Sequence, residues 1–268
     1  MKTWIKILLL SLTSLGIIAL WVLGINSEHK RPLKEPMIIV HVDGADAFLN
    51  EKELYNRILS NRWFVQNQRS ETLQVLKLEK GIRAMEEVKE VRVYKLLGGD
   101  WKIEVWLRKP MARIFAKNGK SYYLDTDGIT ITKTHLHTAK VLLFSGEISE
   151  PLRHQNAIKI INNDSLKNIR KLDEIYRISN YVCNDPMLRA LIGQVYLERS
   201  GDFVLTPIVG DLKIVFGTAY SEKQVKDKFT RLKIFYKEGL PYEGWDKYSE
   251  INLMYDGQIV CRKRNKND

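Results

Sequence analysis

Residues 7–25 read ILLLSLTSLGIIALWVLGI, a run without one charged side chain. As an α-helix, which rises about 1.5 Å per residue, this run is roughly 28 Å long and matches the hydrocarbon core of a bilayer, about 30 Å thick. A helix satisfies its own backbone hydrogen bonds, so an apolar helix is stable in lipid. The sequence therefore predicts a transmembrane anchor over residues 7–25, behind a short stub at residues 1–6.

The exit from this run favours an anchor that is not cleaved. A secretory signal peptide has a shorter apolar core, of about 7 to 15 residues, and small residues at its cleavage site. Residues 21–27 read WVLGINS, which is bulky where the peptidase requires small side chains. A buried helix of a soluble fold is disfavoured, because such helices are usually shorter and amphipathic. A cleaved signal is the alternative that stays open.

Flanking charges do not decide the orientation of the anchor. Lys2 and Lys6 precede it, while Lys30, Arg31 and Lys34 follow it, so the positive-inside count is close to a tie. The layout is more informative, because a short basic start, one apolar run and a long polar remainder are typical of a signal anchor. We therefore predict an amino terminus inside the cytoplasm and the bulk of the chain outside it.

The charge of the chain favours anionic surroundings but not nucleic acid. The formal net charge is +11, from 43 Lys and Arg against 32 Asp and Glu. Both signs are interleaved along the chain, which is typical of a solvated surface. Residues 263–268 are interpreted as a solvated basic tail. Cys183 and Cys261 fit neither a disulfide-stapled small domain nor a metal site, and whether they pair is left open.

After a polar, proline-ended linker at residues 26–35, residues 36–112 predict a βααββ module. Asn50 is expected to cap the first helix, with Glu53 completing a capping box. The expected strands span residues 37–42, 88–96 and 101–107. The first expected helix begins near Glu51, with Leu54, Ile58 and Leu59 facing inward. The second spans residues 71–85, with an apolar face of Leu73, Leu76 and Ala84 and a basic face of Lys77 and Lys80. Such a sheet with two helices on one face is an α+β arrangement.

Residues 113–262 predict a second, β-rich domain with flanking helices. Strands are expected at residues 113–116, 121–124, 129–132, 141–144, 191–198, 203–207 and 212–216. One helix is expected at residues 165–181, capped by Asp164. Another is expected at residues 222–236, capped by Ser221 and ended by Gly239 and Pro241. A final strand is expected over Ser249 to Cys261, because apolar and polar residues alternate there on either side of Gly257. We expect this strand to lie at a sheet edge, with backbone groups open to another chain.

One loop has the pattern of a catalytic site. Asp125-Thr126-Asp127-Gly128 follows an apolar strand and is similar to the nucleophile loop of haloacid-dehalogenase-type phosphatases. That chemistry also needs Mg²⁺, a lysine and a later acidic pair on a parallel sheet, which the pattern lacks. A plain turn is therefore favoured, and a membrane-anchored hydrolase using Asp125 and Asp127 is kept as an alternative. His135 and His137 have no third ligand at a recognisable spacing, so no metal and no cofactor is predicted.

Several ordered motifs resemble a known family. They are LRKPMA at 107–112, YLDTDG at 123–128, LTPIVG at 205–210, GWDKY at 244–248 and INLMYDGQIV at 251–260. Together with the anchor and the βααββ module, they resemble the bacterial cell-division family FtsQ, also called DivIB, in the form found in Bacteroidota. Two positions depart from the family pattern: Leu107 stands where a glutamate is usual, and Gly99-Asp100-Trp101 replaces a Trp-Pro pair.

The resemblance implies a non-enzymatic scaffold at the division septum. In this family the βααββ module is a POTRA domain, and the D-x-x-G turn opens the β domain that follows. Family members lie in the cytoplasmic membrane with their domains outside, bind FtsB and FtsL, and connect them to the septal peptidoglycan synthases FtsW and FtsI. FtsB binds by strand addition at the last β-strand, which matches the following residues of this chain: Tyr255, Asp256, Gly257, Gln258, Ile259 and Val260.

The residues themselves also favour binding at this edge. Strand addition draws affinity from backbone hydrogen bonds and specificity from alternate side chains, and Leu253, Tyr255 and Ile259 are suitable anchors. The alternative is that this is a final strand facing only its own core. A POTRA-containing assembly or secretion factor of the envelope is a further alternative, although such factors carry a barrel of many amphipathic strands, for which little sequence remains.

We expect the chain purified from membranes to keep its amino terminus. Intact-mass spectrometry should then show the full 31.2 kDa chain. Loss of about two dozen residues, the length of a typical signal peptide, would instead show a cleaved signal and a released protein.

Overall fold

A computed structural model describes residues 3–44, 47–132, 138–149, 157 and 171–264 of the chain. The chain divides into two compact units, residues 1–107 and residues 108–268. It has a mixed α and β composition, with one amino-terminal apolar helix and a large β-sheet, as the sequence predicts.

The first helix, α1, spans Thr3–Lys30 and contains the predicted anchor. Its segment Ile7–Ser27 is long and apolar enough to cross a membrane, by length and composition, and none of it is buried inside the protein. The predicted span of residues 7–25 lies within this segment. The helix therefore presents an apolar surface all round, as a membrane span requires.

Residues 26–35 differ from the predicted linker. The helix continues to Lys30, and the next residues are bound to the rest of the first unit. The backbone N–H of Leu33 donates to the Gln68 carbonyl at 2.8 Å, and the Leu33 side chain is 2% exposed. The N–H of Lys34 donates to the Gly99 carbonyl at 3.0 Å. The polar composition concealed this docking, because one buried leucine and a few backbone bonds are enough to fix the segment.

The first unit has the predicted order of strand, helix, helix, strand, strand. Its elements are β1 (Met37–His41), α2 (Glu51–Ser60), α3 (Val75–Arg83), β2 (Val88–Lys95) and β3 (Trp101–Leu107). The sheet order is β1-β3-β2, with β1 parallel and β2 antiparallel to β3. The expected cap is confirmed, since Asn50 Oδ1 accepts from the N–H of Glu53 at 2.8 Å. Both helices bury their apolar faces against this sheet.

The second helix of this unit was predicted with the wrong start and the wrong inner face. It begins at Val75, after a short 3₁₀ turn at Ser70–Thr72, rather than at residue 71. Leu78 and Ile82 are fully buried, whereas Leu76 is exposed. Leu73 lies in the turn before the helix, so the spacing from Leu73 to Leu76 is not a helical one and does not mark the buried face.

The second unit is built on a nine-stranded mixed sheet. Its strands are β4 (Pro110–Phe115), β5 (Ser121–Asp125), β6 (Thr130–Thr132), β7 (Leu142–Gly146), β8 (Ile192–Leu197), β9 (Phe203–Pro207), β10 (Lys213–Gly217), β11 (Tyr248–Asn252) and β12 (Val260–Lys263). Their order is β12-β11-β10-β9-β8-β7-β4-β5-β6, so β12 forms one edge. The helices are α4 (Leu172–Cys183), α5 (Pro186–Leu191), α6 (Glu222–Ile234) and α7 (Leu240–Glu243). Aliphatic and aromatic side chains of the sheet and helices share one core.

The helices of this unit differ from the predicted ones. Helix α4 begins at Leu172, and the predicted start at residue 165 with its Asp164 cap lies outside the described residues. Helix α5 was missed. Gly239 and Pro241 do not end helix α6, because a π-helical turn at Phe235–Gly239 shifts the hydrogen-bond register. Pro241 then lies in the first turn of α7, where its missing N–H is not needed.

Neighbouring glycines in the β2–β3 turn test the docking of residues 31–34. Gly98 and Gly99 both have left-handed φ angles, +78° and +82°. A Cβ at Gly99 would lie 2.5 Å from the Pro32 carbonyl oxygen, whereas one at Gly98 would meet only Arg31 Nη1, at 3.8 Å. We expect Gly98→Ala to cost about 1–2 kcal/mol from backbone strain. Gly99→Ala should cost a further 1–3 kcal/mol or so from the clash.

Hydrogen exchange of the β3 amides in the detergent-solubilised full chain measures both variants. Equal losses of protection in the two variants would contradict the docking of residues 31–34 against this turn.

Candidate partner-binding edge

The carboxyl-terminal residues form a hairpin rather than the single predicted strand. Strand β11 pairs with β10 in parallel and with β12 in antiparallel register, and Ile251 faces Cys261 across the hairpin. Residues 253–259 connect the two strands as a loop. Asn252 Oδ1 accepts from the N–H of Met254 at 2.9 Å, and Gly257 has a φ of +70°, which turns the chain. The loop was not predicted, because apolar and polar residues alternate with a period of two on both sides of Gly257 and the sequence therefore looks like one continuous strand.

Helix α6 holds this loop through one guanidinium group. Arg231 Nη1 donates to the carbonyls of Tyr255, at 2.6 Å, and of Gln258. Its Nη2 donates to the carbonyl of Leu253 at 3.1 Å. A planar guanidinium carries five N–H donors in a fixed fork, so it can bind several carbonyls at once. Three carbonyls spread over six loop residues thus converge on one side chain, which fixes the loop against the helix.

The predicted interface residues divide into two groups. Leu253 was predicted as a partner anchor, but its side chain is fully buried and its N–H donates to the Val215 carbonyl at 2.8 Å. It belongs to the core, so the structure corrects that prediction. Ile259 is half-buried against the same core. The remaining predicted residues are exposed, namely Tyr255 (51%), Asp256, Gly257, Gln258 and Val260 (45%).

Two surface grooves border the loop. The smaller, of about 230 Å³, lies between helix α6, the π-helical turn and the loop, and is lined by Ile234, Phe235 and Ile259 among others. The larger, of about 800 Å³, has charged walls that include Asp227, Lys223 and Asp256. An added segment at this edge would therefore have an apolar groove on one side of the loop and a polar one on the other.

A buried lysine supports the connection between β10 and α6. Lys228 donates from Nζ to the carbonyls of Phe216 and Thr218, both at 2.8 Å. Burial lowers its pKa to about 8, and the nearby charge of Arg231 acts in the same direction. Between these carbonyls, Gly217 has no room for a side chain, because a Cβ there would lie 2.7 Å from Cγ of Met254. The β10–α6 connection and the loop are thus packed as one piece.

Asp125 and Asp127 lie in a closed turn. The buried carboxylate of Asp125 accepts from the N–H groups of Asp127, at 3.0 Å, and Ile129, at 2.6 Å, and from Arg108 Nη1 at 2.9 Å. Burial raises the pKa of Asp125, while the bonds from Ile129 and Arg108 act against that rise. Both of its oxygens are engaged within the turn, and such a carboxylate is poorly placed to attack a substrate. This geometry supports the plain turn.

The remaining candidate ligands form no site in the described part of the chain. His135 and His137 lie outside the described residues. Among the described residues, no group of three or more His, Cys, Asp or Glu is placed to hold a metal ion. Cys183 and Cys261 are both free thiols in the structure. The Cys183 thiol lies 3.3 Å from the Met111 carbonyl, and burial raises its pKa.

Sequence reasoning missed Arg231 and Lys228. The acceptors of Arg231 lie 22 to 27 positions away along the chain, and those of Lys228 lie 10 to 12 positions away, so only the tertiary fold brings donors and carbonyls together. The sequence did hold one signal. Lys228 lies three residues after Val225 and four before Leu232, on the buried face of the helix, where a lysine needs polar partners.

Comparison with known proteins gives one family. A family model described as FtsQ/DivIB, C-terminal related, matches residues 109–262, more than half of the chain. The match covers both the Asp125 turn and the carboxyl-terminal hairpin. No curated protein matches the chain.

Removal of the Arg231 guanidinium should free the loop without unfolding the sheet. Hydrogen bonds to charged groups contribute a net of about 1.5–3 kcal/mol each, after exchange with water is counted. We expect Arg231→Met to speed amide exchange of residues 254–258 by roughly 10- to 100-fold, since each factor of ten corresponds to about 1.4 kcal/mol.

Lys226→Met, at an exposed basic position of the same helix, is the matched control and should leave exchange unchanged. Equal exchange in the Arg231 variant and the wild-type chain would show that the loop is held by other contacts.

Proposed function

This chain belongs to the FtsQ/DivIB, C-terminal related family, which is a family of cell-division proteins, and from this premise we propose that it is a non-enzymatic, membrane-anchored scaffold of the division machinery. The observation that carries the proposal is the position of β12 at the edge of the nine-stranded sheet. An edge strand offers a row of backbone donors and acceptors to another chain.

Strand addition at β12 is the proposed mode of binding. An incoming strand pairs its backbone with Val260–Lys263 and extends the sheet by one strand. Tyr255 and Val260 supply exposed apolar surface beside that edge, and aromatic residues commonly dominate binding energy at interfaces. Arg262 lies 3.7 Å from the Glu250 carboxylate of β11, and its side chain is 73% exposed, so an acidic residue of the partner would share this cation with Glu250.

The proposed partners are FtsB- and FtsL-like division proteins. FtsB-type binding at the last strand is the mode that the family resemblance implies. Through these partners the chain would connect to FtsW- and FtsI-type synthases of septal peptidoglycan. In this role the βααββ module of the first unit is a POTRA domain, and helix α1 is an uncleaved, single-pass anchor. The amino terminus lies in the cytoplasm, and the bulk of the chain lies in the periplasm at the septum.

The loop geometry explains why β12 is suited to such a partner. Free edges invite unspecific pairing, and natural proteins restrict them with short strands and charged side chains. Strand β12 has four residues, of which Arg262 and Lys263 are charged. A short, basic edge accepts one strand of matching length and charge, while Arg231 keeps the adjoining loop in a fixed shape. A preformed loop reduces the entropy lost on binding.

Two substitutions test the edge. Cys261→Pro removes a backbone N–H that faces away from β11, because its partner Ile251 turns its own N–H and C=O toward β10. An edge strand tolerates proline at such a position. Tyr255→Asp places a charge on the exposed loop. We expect each to lower co-purification of the FtsB-like partner from membranes by at least about tenfold, because an interface hot spot contributes about 2 kcal/mol or more. Thermal unfolding should remain cooperative.

Tyr196→Asp is the matched control. Tyr196 is a similarly exposed tyrosine on β8, four strands from the edge in the same sheet, or about 19 Å at 4.8 Å per strand. It should leave co-purification intact. Undiminished co-purification in both edge variants would overturn the proposed edge, and so would equal loss in all three variants, which would point to a general destabilisation of the second unit.

A further inference from the structure

The β2–β3 turn of the first unit carries two exposed leucines beside the end of helix α1. Leu96 is 54% exposed and Leu97 is 82% exposed. A Cβ built at the next residue, Gly98, would lie 3.8 Å from Nη1 of Arg31, which is one residue beyond the end of the helix. The carbonyl of Gly99 accepts from the N–H of Lys34, and the indole N–H of Trp101 donates to the Lys34 carbonyl at 2.8 Å. The turn is therefore attached directly to the segment that leaves the apolar helix.

This attachment sets the depth of the turn relative to a bilayer. The apolar segment Ile7–Ser27 would span about 31 Å as a helix, which matches the hydrocarbon core. Arg31 is four residues farther along, or about 6 Å beyond the core at the helical rise. The headgroup layer on each side of a bilayer is roughly 5–7 Å thick. The turn that is bonded to Lys34, three residues after Arg31, thus lies at the level of the headgroups.

The chemistry of the surroundings fits an interfacial position. Lys95 precedes the two leucines and donates to the Ser70 carbonyl at 2.6 Å. Arg69 and Lys34 are both 64% exposed at the side chain, and each also lies near one carboxylate, Glu71 at 3.7 Å and Asp100 at 3.0 Å. Basic side chains beside apolar ones are typical of surfaces that lie in the interface, where the apolar groups enter the acyl boundary and the cations meet phosphates. An exposed leucine pair in water would have no comparable gain.

We propose that the β2–β3 turn docks on the bilayer, with Leu96 and Leu97 inserted at the headgroup–acyl boundary and the neighbouring basic residues on lipid phosphates. The turn acts as a second membrane contact that fixes the first unit against the membrane surface beside its anchor. This inference rests on helix α1 spanning the membrane, as in the proposed function, but not on any division partner.

A depth measurement tests the docking on the full chain in proteoliposomes. In a Cys183→Ser, Cys261→Ser background, one cysteine is introduced at Leu97 and labelled with an environment-sensitive fluorophore. The vesicles contain phosphatidylethanolamine and phosphatidylglycerol, with or without a lipid whose acyl chain carries a shallow nitroxide quencher. We expect a blue-shifted emission for the Leu97→Cys label and at least a twofold loss of its intensity on addition of the quencher lipid.

Two further positions serve as controls. Val42→Cys places the label at the end of the sheet opposite the β2–β3 turn, because β1 runs parallel to β3. The two ends are about 20 Å apart, the length of six residue steps along β3. The Val42 label should show no quenching. Leu15→Cys places the label in the middle of helix α1. In separate vesicles whose nitroxide lies near the end of the acyl chain, quenching of this label reports whether the helix enters the bilayer core.

The controls separate the possible failures. Quenching at Leu15 with a Leu97 label that behaves like the Val42 label would overturn the docking and leave the anchor intact. An unquenched Leu15 label would overturn the anchor and the docking together. Loss of Leu97 quenching when phosphatidylglycerol is replaced by zwitterionic phosphatidylcholine would support attraction of the basic residues to anionic headgroups. Unchanged quenching would overturn that part of the docking.

Discussion

Every backbone N–H and C=O of this protein must be paired or hydrated, and that requirement governs each of its distinctive parts. In lipid no water is available, so the apolar segment Ile7–Ser27 is stable only as a helix. At the exit of the helix, residues 33 and 34 pair their backbone with the first unit. At the far end of the second unit, β12 presents one row of backbone groups at the edge of the sheet. That edge is where another chain can pair.

The carboxyl-terminal loop shows how side chains take over where backbone pairing stops. Residues 253–259 leave the ladder between β11 and β12, and Arg231 satisfies three of their carbonyls. Lys228 does the same for two carbonyls at the β10–α6 connection. Both donors come from one helix, so helix α6 determines the shape of the surface beside the edge. A change in that helix would therefore reach the edge without altering any residue that contacts a partner.

Local patterns predicted the parts of the fold that depend on neighbours in sequence. The Asn50 cap, the alternation of Ile103 and Val105, and the turn at Asp125 involve residues within a few positions of each other, and each is found as expected. Leu33 and Leu253 were misread because their burial depends on segments far away in the chain. The hairpin at the carboxyl terminus was misread for a different reason, since a loop of seven residues preserved the alternation on both sides. The exposed Tyr255 and Val260 were predicted at the surface, whereas the arginine that positions their loop was not.

The account places the partner on the backbone of β12, and amide hydrogen exchange of residues 260–263 measures that contact most directly. The exchange is compared between the full chain alone and the full chain mixed with the proposed FtsB-like partner, each in the same detergent. The account predicts that amides of β12 exchange at least about tenfold more slowly in the complex, a gain of about 1.4 kcal/mol in protection. Unchanged exchange in β12, with protection at another surface of the second unit, would contradict it.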